Sequence, residues 1–221
     1  ADRLAALAAA CILETPPETD FDAIVAAAAS LCGTPSAAIS FIDADSQWLK
    51  AAFGLDIRTT SREVAFCAHT ICGFELLEVP DARADPRFAQ NPLVTVDEGI
   101  RFYAGVPLTT SEGYNLGSLC VIDTVPRLLT PDERAGLTRL ADHASALIDR
   151  RLWANVARRA EHELDRLRSG RRASAGELRS AAQRHPSPGP ADRSAASETL
   201  RVLPRSDELF CLYQPEVDAA S

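Results

Sequence analysis

The sequence has no methionine, one lysine (Lys50), two tryptophans, and no apolar run longer than the ten residues LAALAAACIL at 4–13. A membrane helix needs about 20 such residues, so no segment is expected to span a bilayer and no membrane partner is expected. No basic n-region with a cleavage site opens the chain. None of its six cysteines (Cys11, Cys32, Cys67, Cys72, Cys120, Cys211) forms a C-x-x-C pair. Reduced thiols in a cytoplasmic protein are the expectation. Because methionine is missing even at position 1, Ala1 is expected to be internal to a longer parent. A P-loop, a Ser-His-Asp set and a complete group of metal ligands are also lacking, so the chain alone is expected to turn over no substrate.

What is present is enough chain for one domain and a remainder. The net charge of −8 is unevenly spread: residues 1–149 hold 10 basic and 21 acidic side chains, residues 150–205 hold 13 and 6. Phosphate contacts need clustered cations, so the acidic part is expected to have no nucleic-acid partner. The later arginines fall on a helix and then among Ser, Pro and Ala, a pattern of solvated surface.

Apolar spacing predicts a helix over 2–13, a break at ETPPETD, and a second helix from Asp20 to a stop at Gly33. AISFID and QWLKAAF then alternate as two strands joined by Asp43-Ala44-Asp45. REVAFCAHTIC (62–72) reads as a short helix or ordered loop, followed by the strand ELLEV and a long loop, PDARADPRFAQNPLV. RFYAGVPLTT and NLGSLCVID form a second hairpin with Gly113 in its turn. A long helix follows over 131–168, with Thr130 as N-cap and Glu133 completing a capping box. Residues 169–199, poor in large apolar side chains, read as a flexible linker. The fold class is α+β.

The blocks RLAAL…ILETPPE, FCAHTI, VPDARADPRFAQNPLV, GIRFYAGVPL and LGSLCVIDTVPR, in that order, resemble the GAF domains of bacterial sensory proteins over about residues 1–155. The resemblance implies a central antiparallel sheet, helices on one face, a small-molecule pocket on the other, and a regulatory role. The stretch LFCLYQPEVD (209–218) is similar to the first strand of EAL domains, the cyclic di-GMP phosphodiesterases. Residues 200–221 are thus expected to be the truncated start of a C-terminal output domain, controlled through the helix and linker.

The pocket's candidates are Trp48, Phe66, Cys67, His69, Asp81, Asp85, Arg101 and Tyr103, because small-ligand sites combine aromatic walls with a few polar groups. On RFYAGVPL, alternation puts Arg101, Tyr103 and Gly105 on one face and Phe102, Ala104 and Val106 on the other. Equally, Trp48 and Phe66 fit a core, and Asp81 with Arg83 or Arg87 fits a pinned loop. An unknown small molecule is the expected ligand, with no cofactor required. The alternative function is a thiol redox sensor, or an enzyme like the free methionine sulfoxide reductases of the GAF family, using Cys67, Cys72 or Cys120; the reactive thiol of those enzymes has no counterpart here between 73 and 119. A stripe of Leu140, Ala144, Ile148, Leu152, Val156, Ala160, Leu164 and Leu167 predicts a homodimer through the N- and C-terminal helices.

Overall fold

The computed structural model describes residues 2–184, with side chains described through Ser169 and at Ser180. Two compact units divide the chain, Ala1–Arg166 and Leu167–Ser221. The sheet, both cores and the site belong to the first.

Helix α1 (Asp2–Ala10) and helix α2 (Thr19–Cys32) lead in. Gly33 ends α2 at φ 60°, a left-handed cap whose N–H bonds to the carbonyls of Ala29 and Ser30, a conformation glycine adopts without Cβ cost. Strands β1 (Ser36–Ile42) and β2 (Ser46–Phe53) form the first hairpin, and β3 (Thr59–Ser61) extends it. A 3-10 turn at Arg62–Val64 runs into the short helix α3 (Phe66–Thr70). Then come β4 (Leu77–Val79), the helical turn α4 (Pro92–Thr95), β5 (Phe102–Thr109), β6 (Asn115–Asp123) and α5 (Pro131–Arg184).

The six strands pair antiparallel in the order β3-β2-β1-β6-β5-β4. The central pair β1–β6 is tight: a Cβ at Gly117 would stand 1.9 Å from the Ser40 carbonyl oxygen, so only glycine fits. Side-chain alternation sends Ile39, Phe41, Phe102, Ala104, Val106, Leu119 and Val121 to one face, against Phe21, Ile24 and Ala28 of α2 and Leu137, Ala141, Ala144 and Ile148 of α5. Ala38, Leu49, Tyr103 and Cys120 take the other face, under Phe66, Cys67, Phe88 and Val94. Helices α1, α2 and α5 therefore cover one face, and α3, α4 and the loops cover the opposite one.

The capping box at α5 forms, with Glu133 N donating to Thr130 Oγ1 and Thr130 N to the Glu133 carboxylate. Asn155 of α5 satisfies the end of α1, its Nδ2 donating to the carbonyls of Ala9 (2.9 Å) and Ala10 (3.0 Å), groups that a helix C-terminus leaves unpaired.

Two expectations change. The helix continues to Arg184, through the first part of the segment 169–199 expected as a flexible linker; Ala, Arg, Leu, Glu and Gln favour helix there, and no proline intervenes before Pro186. The rest of that segment, and the expected strand at 209–218, lie outside the described residues. The stripe on α5 also divides. Ala144 and Ile148 are buried in the helix-side core with Leu140 and Leu152 packed against it, whereas Val156, Leu164 and Leu167 are exposed. Steps of four precess about 40° each round a helix of 3.6 residues per turn, so such a series cannot hold one face.

Candidate functional site

On the sheet face away from α1, α2 and α5 lies a cavity of about 220 Å³. Its floor is the sheet: Ala38 of β1, Gln47 and Leu49 of β2, Tyr103 of β5, and Cys120 and Ile122 of β6. Ala65, Phe66 and Cys67 close one side; Leu55, Ile57 and Thr60 form another; Leu93, Val96, Glu98, Gly99 and Ile100 form the rest. Glu98 sits at φ 55°, an uncommon left-handed setting for a side-chain-bearing residue. A Cβ at the neighbouring Gly99 would lie 2.6 Å from the Val94 carbonyl oxygen, so this return of the chain requires glycine.

The polar groups converge on one sulphur. Gln47 Nε2 donates to Cys67 Sγ at 3.4 Å, and its own Oε1 accepts from Thr60 Oγ1 at 3.3 Å. The Tyr103 hydroxyl also donates to Cys67 Sγ at 3.4 Å and is 2.6 Å from Thr70 Oγ1. Cys120 Sγ stands 3.8 Å from Cys67 Sγ. The buried hydroxyls of Ser40 and Ser118, cross-strand partners, make no ordinary hydrogen bond among the described residues, yet their dipoles reach Cys67 and favour its thiolate.

Hydrogen bonding from Cys120, opposed by burial and reinforced by Ser118, Ser40 and Tyr103, pulls the Cys67 thiol down to about 6. Cys120, the donor to that thiolate and itself buried, is pushed up. Burial also raises the Tyr103 phenol, with the neighbouring thiols adding to the rise, so it stays a donor. Cys32 shows burial without donors: its thiol rises to about 11. Followed by thiolate absorbance, the native chain is expected to ionise one thiol at about pH 6, and Cys120→Ala is expected to move that step upward. A single transition at the pH of an ordinary thiol would contradict the assignment.

Of the residues expected at the pocket, Phe66, Cys67 and Tyr103 line the cavity. The other five stand elsewhere. Gln47 and Leu49 take the cavity face of β2, so Trp48 between them turns to the helix face, against that core and 5.8 Å from Lys50 Nζ. His69 is exposed, its ring edge-on to Phe88 at 4.8 Å. Arg101 grips Asp81 through two bonds, 2.9 and 2.8 Å, and Asp81 also accepts from Arg83 N. Asp85 accepts from Arg87 N and its guanidinium. These arginines hold both carboxyls below the usual range, and the two pairs pin the loop. Sequence reading missed Ala38, Gln47, Leu49 and Ile122; alternation applied to β1, β2 and β6, as it was to β5, would have found them.

An antiparallel sheet with helices on one face and a half-open, mostly apolar cavity on the other is the architecture of a sensory domain. Residues 16–148 match the GAF domain family, and the chain belongs to it. Over 116 residues it is 53% identical to a cyclic di-GMP phosphodiesterase of Pseudomonas aeruginosa, a match covering 52% of this chain and 20% of that protein. The chain thus spans about a fifth of that relative's length. Two solved structures share the fold. One is the GAF domain of Thermosynechococcus elongatus PixJ in its blue-light absorbing form (TM-score 0.51, 14% identity, 65% of this chain and 91% of that one). The other is the GAF domain of an Acinetobacter phosphoenolpyruvate-protein phosphotransferase (TM-score 0.51, 20% identity, 66% and 90%).

Proposed function

We propose that this chain is the non-catalytic sensory domain of a larger cytoplasmic cyclic di-GMP phosphodiesterase, in which a small molecule in the cavity acts on a C-terminal output domain through paired copies of α5. The observation that carries the reading is the cavity itself: about 220 Å³, lined mainly by apolar side chains, with Gln47, Thr60, Glu98, Tyr103 and two thiols as its polar groups. Ligand pockets for drug-sized molecules begin at about 300 Å³, so the expected ligand is smaller. No arginine or lysine is among the lining residues, and a phosphate would enter uncompensated. The sensed molecule is therefore not an anion and is mostly apolar, with Glu98 the one charged lining residue, and it is distinct from the bis-phosphate on which the output domain acts. The 53% identity to a cyclic di-GMP phosphodiesterase supports the output; the free cysteines fit a reducing compartment.

Ala38→Leu fills the cavity from its floor. In a thermal-shift screen of small apolar metabolites, at least one is expected to stabilise the native chain, by about 2.7 kcal/mol at a hundredfold excess over Kd, and to leave Ala38→Leu unmoved. Equal shifts in both proteins, or none in either, would remove the cavity as the input site.

A further inference from the structure

We propose that Cys67 and Cys120 close a reversible disulfide when a hydroperoxide enters the cavity, so that the floor of this site is also a site of oxidative modification. The inference goes beyond ligand sensing and does not rest on it, since the cavity serves here only as the way in.

Cys67 and Cys120 are 2% and 1% exposed, so bulk water does not reach them directly, but both residues line the cavity. They stand 3.8 Å apart, and a disulfide needs about 2.05 Å. The remaining approach falls to α3, a five-residue helix between loops, and to rotation of Cys67 near its start. Cys120 lies on central β6 and supplies the fixed side.

The other described thiols lack this arrangement. Cys11 and Cys72 are exposed and bond to carbonyls of their own turns, Ala8 at 3.4 Å and Ala68 at 3.3 Å. Cys32 is buried, and its raised thiol holds its proton. Only the thiolate attacks peroxide, and the donors around Cys67 favour that form.

The chemistry balances without a metal or cofactor. The Cys67 thiolate attacks the hydroxyl-bearing oxygen of the hydroperoxide, the O–O bond breaks, and the alkoxide leaves as an alcohol after taking a proton from the Tyr103 phenol beside Cys67, which regains from solvent the proton that Cys67 released on ionising. Cys67 is now a sulfenic acid. The Cys120 sulphur attacks it, the S–O bond breaks, water departs with the Cys120 proton, and the S–S bond forms. The two thiols lose two electrons and the hydroperoxide gains them. A dithiol reductant reverses the step.

The full chain would be treated with tert-butyl hydroperoxide, alkylated after unfolding, and mapped by peptide mass spectrometry. A cross-linked peptide pair joining Cys67 to Cys120, lighter by two hydrogens and released by dithiothreitol, is expected before oxidation of the more exposed Cys11 and Cys72. In Cys120→Ser, Cys67 is expected to stop at the sulfenic acid and be captured by dimedone. The proposal fails if Cys11 or Cys72 is oxidised while Cys67 and Cys120 remain alkylatable, or if diamide closes the bond and the hydroperoxide does not. Should Cys120→Ser not fold, the cross-link in the native chain decides alone.

Discussion

Replacing Glu18 by alanine is expected to destabilise the domain more than replacing Lys50 by methionine, although Lys50 is the more deeply buried partner. The Lys50 side chain is wholly enclosed, with Nζ 2.5 Å from the Glu18 carboxylate and 2.6 Å from both Thr15 Oγ1 and the Pro16 carbonyl oxygen. It thus fastens the ETPPE link between α1 and α2 to β2. Glu18 is 37% exposed and also pairs with Arg151 of α5. In Lys50→Met the carboxylate keeps Arg151 and water, so the loss is mainly hydrogen bonds, worth about 1 kcal/mol each. In Glu18→Ala the ammonium stays buried with only neutral acceptors, and stranding a buried charge costs about 3–5 kcal/mol. For a unit of this size that is a fall in Tm of roughly 6–20 °C. Thermal unfolding by circular dichroism gives both values; a larger loss in Lys50→Met would contradict this view of the pair.

The pH dependence carries the same sign. Burial works to raise the Glu18 carboxyl, but bonds from Lys50 and Arg151 outweigh it and lower the group below its usual value. A carboxyl depressed in the folded state stabilises above its unfolded value and loses that contribution as pH falls through the folded one. The Tm difference between native chain and Glu18→Ala should therefore narrow in acid and stay wide at neutrality.

What the sequence disclosed and what it withheld divide along one line. The strands β1, β2, β5 and β6, the two faces of RFYAGVPL and the Thr130–Glu133 box are local patterns, and each appears where its spacing puts it, whereas the short edge strand β3 has no pattern of its own. The cavity is not local. It is built from β1, β2, β5, β6 and the 92–100 return, so Gln47 and Ile122 meet only once the order β3-β2-β1-β6-β5-β4 is known. The sole lysine is the most enclosed charge among the described residues of the helix-side layer, and nothing local in the sequence marks its partners Thr15, Pro16 and Glu18. The conspicuous loop acids Asp81 and Asp85 drew notice as ligand contacts, yet each spends its oxygens on an arginine. Cys67, Cys72 and Cys120 stand together in the sequence only as candidate thiols; it is the strand order that sets Cys120, 53 positions on, against Cys67 and leaves Cys72 exposed.

Leu164→Glu is expected to convert a dimer of this chain into a monomer without disturbing its fold. Past the core-facing part of α5, Trp153, Val156, Leu164 and Leu167 are 66%, 55%, 52% and 58% exposed. With Ala160 they are spaced 3, 4, 4 and 3, so Trp153 repeats at Leu164 and Val156 at Leu167, eleven residues on. Such a period keeps one face in register along a nearly straight or slightly right-handed helix pair. A continuous apolar face of this kind is stable when covered, and a second copy supplies a matching face by symmetry. Burying one leucine contributes about 1.5–3 kcal/mol, and a twofold interface counts it twice, so the paired substitution weakens association by roughly a hundredfold to ten-thousandfold. Leu164 lies beyond both cores, so the Tm of the sheet domain should hold. Light scattering at micromolar concentration reads the mass directly. A native chain that already runs as a monomer, or a Leu164→Glu chain that still runs as a dimer, would remove this face as the interface and with it the route proposed from cavity to output domain.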